Sequence, residues 1–435
     1  MAKAALIAKG TLHNVIKGLS ENLSGYVTNP QKDFTRERKL PFRKMIELLV
    51  AMGAKSISRE LIEAHDLGGD VPSTSAFVQQ RAKIFPAALK RIFLDFAAKV
   101  PKNRLYQGFR LLAADGSSVQ IARNPADAET YIGLGEKQIG FNQMHIMAMY
   151  DLLNGFYTDA HVQKAREKNE CAGLVQMLRG GFAQPTIVVG DRGFNSLNVL
   201  AAMQENGVKF VIRAREASRC LLNGVPLPSD NEFDVQYSRM FTRRNDRFFK
   251  NQPDIYRILH PHSPFGPLDH NDDCDFYPLS FRVVRILLES GEHETLLTNL
   301  PSDAFSPNDL REIYRLRWGI ETSFRKLKYA VGLKFFHSKH PDFVSQEIYA
   351  RLTMFNFCAW ITESIDMKGI RKKYTHQFNF TAAVTLCRIF LHNTHFAAAN
   401  KLFDALSRQT VPIRPNRNCP RRPLPPKPFQ LGYRP

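Results

Sequence analysis

Two short apolar runs, each closed by an aspartate beside a glycine, constrain this chain more than any other feature. Residues 108–114 end at Asp115-Gly116-Ser117-Ser118, and residues 186–189 end at Gly190-Asp191-Arg192-Gly193-Phe194. Runs this brief suit buried strands and not helices. The glycines beside the acids let a ligand come close to the backbone. Residues 141–150 and 155–162 read as strands across an Asn154-Gly155 turn, 167–178 and 196–205 as helices, and 208–213 as a further strand. Asn142, His145 and Asp151 lie on these strands. His145 reads as a core or supporting residue, because a lone strand histidine is more often satisfied locally than catalytic.

Three antiparallel strands followed by helix, strand, helix and strand describe an α/β mixed sheet of ribonuclease-H type. Asp115 and Asp191 each terminate a strand of it, and adjacent strand-end carboxylates can converge on a pair of divalent metal ions. Residues 214–298 break the pattern. They are rich in aromatic, Asp, Asn and Arg residues, with strand-like alternation at 280–288 and 294–297, and read as a β-rich insertion. Beyond it, Ser306 with Asp309 reads as a capping pair, Pro307 suits a first turn, and Gly332 lies just past a helix end. On a single helix there, Tyr314, Arg317, Glu321 and Lys328 project from one face. One acid between two bases suits a carboxylate holding a metal while the cations hold a phosphate backbone. The plainer alternative is a solvated face of ion pairs such as Glu321 with Arg325.

Charge narrows the partner class. The 435 residues carry a net charge of +19, concentrated at the ends: residues 1–100 hold 16 basic and 9 acidic side chains, 101–300 hold 22 and 23, and 301–435 hold 22 and 9. Terminal segments that grip a polyanion around a near-neutral core leave this footprint. In the first of them, residues 57–67, a Gly68-Gly69-Asp70-Val71 turn and a helix from Ser73 to 85 resemble a helix-turn-helix. Its second helix would present Gln79, Gln80, Arg81 and Lys83 to DNA; a structural helical hairpin is the alternative. The six cysteines, Cys171, Cys220, Cys274, Cys358, Cys387 and Cys419, form no CxxC pair, which argues against a zinc site or disulfide framework and fits a reducing compartment. No run approaches the ~18 apolar residues of a membrane span, so the expected location is cytoplasmic, at the nucleoid. Arg371-Lys372-Lys373 forms a basic knot in a helical region, and the Pro/Arg-rich end reads as a tail that orders on nucleic acid.

Together, Asp115 in Ala-Ala-Asp-Gly-Ser, Asp191 in Val-Val-Gly-Asp-Arg-Gly-Phe, and Y-x2-R-x3-E-x6-K at 314, 317, 321 and 328 resemble the DDE transposases of bacterial insertion sequences, in the insertion-sequence-four family. The resemblance spans about residues 105–335. It implies a ribonuclease-H-like core, two Mg²⁺ ions with Mn²⁺ as the substitute, and cut-and-paste movement of DNA. Asp115, Asp191 and Glu321 match the metal-binding triad, and Tyr314, Arg317 and Lys328 match residues that contact transposon-end DNA, with Arg192 and Trp318 as further contacts. The implied partners are double-stranded DNA, both terminal inverted repeats and target, and a second copy in a paired-end dimer; no membrane is involved. The expected parts are a helical DNA-binding domain (1–103), the core's first part (104–213), the insertion (214–298), the core's second part (299–338), a helical region (339–405) and a basic tail (406–435). Related hairpin-forming enzymes stack a flipped base on a tryptophan of the insertion. Here Trp318 and Trp360 lie outside it, leaving Phe248, Phe249, Tyr256 or Trp318 for that role. Two alternatives stay open: a nuclease of the same core that does not join strands, and a silent DNA-binding repressor.

Overall fold

The computed structural model describes residues 2–36, 39–65, 71–135, 139–215, 221–222, 225–263, 265–269, 275–288, 291–365, 375–392 and 397–413. The Gly68-Gly69-Asp70 turn, the Arg371-Lys372-Lys373 knot, Cys220, Cys274, Cys419 and the tail from Arg414 onward lie outside these residues. Among the described residues no helix is long and apolar enough to cross a membrane.

Ten strands form one mixed sheet: β1 Arg110–Ile121, β2 Tyr131–Ile132, β3 Phe141–Asp151, β4 Phe156–Lys164, β5 Thr186–Gly190, β6 Lys209–Arg213, β7 Phe233–Thr242, β8 Tyr256–Ile258, β9 Phe276–Leu287 and β10 His293–Thr298. Their order is β2-β3-β1-β5-β6-β10-β9-β7-β8, with β4 also paired to β3. The centre, β1, β5 and β6, is parallel. On one side β1 pairs antiparallel with β3, and on the other β10 pairs antiparallel with β6. The aromatic-rich strands after Arg213 therefore extend the same sheet.

Among the described residues, fourteen α-helices accompany the sheet. Five precede it: α1 Ala2–Glu21, α2 Phe42–Ala51, α3 Ile57–Glu63, α4 Thr74–Arg81 and α5 Pro86–Lys99. Four lie between strands: α6 Glu170–Leu178, α7 Leu197–Glu205, and the short α8 Arg247–Lys250 and α9 Gly266–Asp269. Five follow: α10 Pro307–Leu316, α11 Trp318–Tyr329, α12 Pro341–Glu363, α13 Phe380–His392 and α14 Ala397–Arg408. Because strand side chains alternate between faces, the two sides of the sheet acquire different neighbours. Even-numbered Leu112, Ala114 and Val188 pack with Leu174 and Met177 of α6 and Val199 and Leu200 of α7. Odd-numbered Leu111, Ile187 and Val189 pack with Leu310 and Ile313 of α10, and Ala113 joins the core that holds Phe324 of α11 and most of α12.

The helix α12 is buried almost all round, so its polar residues need partners inside the protein. Glu347 receives Arg81 Nη2 at 3.0 Å, Arg351 Nη2 at 3.1 Å and His337 Nδ1 at 3.1 Å. Arg81 Nε also donates to Gln346 Oε1 at 2.8 Å. This corrects the expectation for Arg81: it is 1% exposed and serves the core, so it cannot reach DNA from the folded state. The predicted cap does form, with Ser73 Oγ accepting from Ala76 N at 3.2 Å, but α4 ends at Arg81.

Burial opposes ionisation of Glu347, yet Arg81, His337 and Arg351 outweigh it and hold the carboxyl at about 2. A depressed carboxyl adds stability that is complete above its unfolded value and is lost as pH falls through the folded value. Glu347→Ala should cost about 3–5 kcal/mol, as expected when one partner of a buried ion pair is removed. Urea denaturation should show this loss, and the variant should lack the wild type's decline in stability between about pH 4.5 and pH 2.

Candidate active site

The parallel register of β1 on β5 runs from Arg110 opposite Thr186 to Ala114 opposite Gly190. Beyond that pair β5 ends, whereas β1 continues against β3, with Asp115 opposite Ala148 and Ser118 opposite His145. Contrary to the expectation from the sequence, Asp115 therefore does not terminate its strand. It lies at the step where its parallel neighbour stops. Asp191 occupies the next extended position after β5 (φ −79°, ψ −178°) and caps the turn Arg192–Phe194. Both acids occupy odd-numbered positions, continuing the series of Leu111, Ala113, Ile187 and Val189 that faces the side where α10 and α11 pack. A backbone amide holds each side chain: Gly116 N donates to Asp115 Oδ1 at 2.8 Å, and Gly193 N donates to Asp191 Oδ1 at 2.7 Å.

The third acid arrives on two helices, where the spacing had predicted one. The Ser306–Asp309 capping box and Pro307 start α10 as expected. At Arg317 the helix tightens: Arg317 N donates to Tyr314 O and Ile320 N to Arg317 O, both at 3.1 Å and both across three residues. Tyr314 and Arg317 are consequently buried, while Glu321 and Lys328 on α11 are half-buried. Arg317 Nη2 meets Glu321 Oε1 at 3.0 Å, and its guanidinium lies 5.6 Å from the ring of the exposed Trp318. Glu321 thus pairs with Arg317 and not with Arg325.

Asp191 and Glu321 both lie near enough to act on the charge of Asp115. Burial pushes the Asp115 carboxyl up to about 6; the Gly116 hydrogen bond opposes this, Asp191 adds to it, Arg317 opposes it and Glu321 adds to it. Burial also lowers Lys328, Lys334 lowers it further, and the charge on Asp115 partly restores it. The donors are all carboxylate oxygens, the set that hard divalent cations prefer. Among the described residues, however, no three His, Cys, Asp or Glu side chains already stand in metal-holding geometry. Glu321 faces Arg317, and each aspartate faces its glycine amide.

Beside this group is a cavity of about 510 Å³ lined by Arg192, Arg213, Arg215, His293 and Glu294. Arg213 Nε lies 3.2 Å from Glu294 Oε1, and Arg215 Nε donates to Arg192 O at 2.9 Å. Arg213 and Arg215 escaped the sequence reading, although an Arg-x-Arg at the end of a central strand is a signal that could have found them. The N-terminal candidates lie apart from this cavity. Gln79 is exposed and donates to Ser75 Oγ at 3.3 Å, whereas Lys83 Nζ reaches Gln80 Oε1 at 3.2 Å and Asp33 at 3.5 Å. Phe248, Phe249 and Tyr256 form one aromatic cluster with Phe276, and Phe248 is its exposed ring.

Residues 106–357 match the model of the transposase DDE domain. The chain belongs to that family. The match takes in Asp115, Asp191 and Glu321 together with the whole ten-stranded sheet. Among curated relatives, InsL of insertion sequence element IS186A from Escherichia coli (strain K12) is 40% identical over 72 residues, 16% of this chain and 20% of that protein. The transposase for insertion sequence element IS421 from Escherichia coli is 40% identical over 72 residues, 16% of this chain and 19% of that one. The aligned stretch is thus about a fifth of the relatives' length. A piggyBac transposase in a synaptic complex with hairpin DNA aligns over 95% of this chain and 86% of that one, at 11% identity and a TM-score of 0.46.

The raised carboxyl gives the DDE domain a testable property. A folded state that binds a proton more tightly than the unfolded state loses stability as pH rises between the two values, here from 3.8 to about 6. In the presence of EDTA, Asp115→Asn should therefore be more stable than wild type at pH 7.5, by up to about 3 kcal/mol, and the gap should close at about pH 4. Paired thermal melts at the two pH values measure it.

Proposed function

We propose that this chain is a DNA transposase that cleaves double-stranded DNA at the terminal inverted repeats of its element and joins the freed ends to target DNA. The observation that carries the reading is the convergence of Asp115, Asp191 and Glu321 beside two cations, Arg317 and Lys328, within the DDE domain. The central order β3-β1-β5-β6, with acids at the carboxyl edge of the parallel pair, supports a ribonuclease-H-like core.

In this reading the three carboxylates hold two Mg²⁺ ions, or Mn²⁺ in their place, which when bound activate the nucleophile and stabilise the leaving oxygen. The protein's own residues do the rest. The amides of Gly116 and Gly193 fix the aspartates. Arg317, whose buried Nε has no hydrogen-bond partner among the described residues, releases Glu321 and turns to a phosphate. Lys328 holds a neighbouring phosphate as a point charge, Tyr314 backs Arg317, and Trp318 offers an exposed ring to a base. Arg192, Arg213 and Arg215 extend the cationic track along the backbone. Two copies acting on paired ends, in the cytoplasm where the nucleoid lies, complete the proposal.

Cleavage of end DNA in Mg²⁺, resolved on a denaturing gel, tests it. Wild type should cut at the element end and, given a 3′-hydroxyl end and a target, form strand-transfer products, whereas Asp191→Ala should do neither while still retaining end DNA. Cutting without joining would leave a nuclease; end binding without cutting would leave a repressor. Arg213→Ala should weaken DNA binding across sequences and reduce the slope of log K against log salt by about 1. An unchanged slope in a fluorescence-anisotropy titration would remove Arg213 from the track.

A further inference from the structure

On the opposite face of the sheet from Glu321, a second polar line runs through residues that the proposed chemistry leaves unused. Ser118 Oγ lies 3.1 Å from His145 Nδ1. His145, 1% exposed, places Nε2 at 3.2 Å from Glu170 Oε1, too poorly aligned for a full hydrogen bond, and this nitrogen has no other partner among the described residues. Lys168 Nζ approaches the same oxygen at 3.4 Å. Glu170, the first residue of α6, is thereby drawn in against the sheet.

Its carboxylate occupies space that only glycine leaves open. A Cβ added to Gly116 would stand 2.4 Å from Glu170 Oε1 and 2.7 Å from His145 Cε1. A Cβ added to Gly193 would stand 2.8 Å from Asp191 Oδ1, with Glu170 Oε2 at an ordinary contact distance of 3.8 Å. These are the two glycines whose amides hold Asp115 and Asp191. One side chain therefore braces Gly116 closely from behind and comes within ordinary van der Waals reach of Gly193. Cys171, the next residue, adds a contact from Sγ to Gly193 O at 3.4 Å.

We propose that Glu170 is a positioning residue for the aspartate pair: its carboxylate, seated by His145 and Lys168, sets Gly116 directly and, with Cys171 beside it, bounds Gly193, so that the two amides aim Asp115 and Asp191 at the same point. The inference rests on the carboxylate reading of the site. It requires the reach and shape of the side chain, since Glu170 supports backbone and stands behind the strand. Supports of this kind typically change metal affinity by about 10- to 100-fold when removed.

Two near-isosteric variants of the full chain separate shape from charge. Glu170→Gln keeps the reach and loses the charge; Glu170→Asp keeps the charge and withdraws the carboxylate by one methylene. Mn²⁺ binding, followed by the loss of the free-ion electron paramagnetic resonance signal, should remain near wild type in Glu170→Gln and weaken by about 10- to 100-fold in Glu170→Asp. Thermal melts and end-DNA anisotropy serve as fold controls. Wild-type affinity in Glu170→Asp overturns the inference. So does a loss in Glu170→Gln as large as in Glu170→Asp, which would make the charge itself the contribution. Asp191→Ala guards the underlying reading: if it binds Mn²⁺ as wild type does, the carboxylate site fails, and Glu170 has nothing to position.

Discussion

In the parallel pair of β1 and β5, Ala114 stands opposite Gly190, and the chemistry of the site depends on this register. It puts Asp115 and Asp191 at the same height on neighbouring strands. Side-chain alternation then sends both toward α10 and α11. A slip of one residue in β1 would turn Asp115 toward α6 and bring Gly116 to the site. The apolar pattern resists that slip, because Leu112 and Ala114 would exchange cores with Leu111 and Ala113. Packing of ordinary aliphatic residues thus secures the aim of the acids, and the acids need make no contribution to the fold.

They oppose it in one respect. Asp115 is half-buried near two other carboxylates, and the hydrogen bond from Gly116 and the charge on Arg317 only partly offset the cost of its desolvation and of that repulsion. A doubly charged cation bound there, as proposed, would relieve a repulsion the fold already contains. Arg317 sits at the junction of α10 and α11, where three-residue hydrogen bonds tighten the helix, and it faces Glu321 on one side and Tyr314 and Trp318 on the other. A cation that can exchange a carboxylate for a phosphate without leaving its place would suit the proposed function, in which the site accepts and releases DNA.

Much of this arrangement was readable from residue order. Asp115, Asp191 and Glu321 carry local signatures: an apolar run, a glycine and a capped helix. The helix break at Arg317 was not readable: Gly319 weakens a helix by about 1 kcal/mol, but a lone glycine within a helical pattern does not fix a break, and the tightening becomes visible only with tertiary packing. Continuation of β1 through Asp115 to Ile121 was hidden for a similar reason. Gly116-Ser117-Ser118 reads as a turn, but pairing with β3 keeps it extended. Arg81 misled because a basic residue on a polar helix normally faces water. Its partner Glu347 lies 266 positions away, beyond any local pattern. Glu170 gave no sign at all, because its proposed role depends on Gly116 in β1 and on Gly193 in the turn after β5.

Long-range polar contacts of this kind also link the ends of the molecule. Arg81 joins the N-terminal helices to Glu347 on α12. Farther along α12, Asn356 brackets the Tyr157 backbone on β4, accepting from its N at 2.8 Å and donating to its O at 2.7 Å. The Tyr157 hydroxyl then meets Ser323 Oγ at 2.8 Å, two residues from Glu321 on α11. Every member of that chain is buried, so each bond is made in a low-dielectric interior where an unmade one is costly. The helix that carries Glu321 is therefore tied by hydrogen bonds, as well as by apolar packing, to the helices that open the chain. If those helices take hold of DNA, their position relative to the three carboxylates is set by a rigid interior and not by a linker.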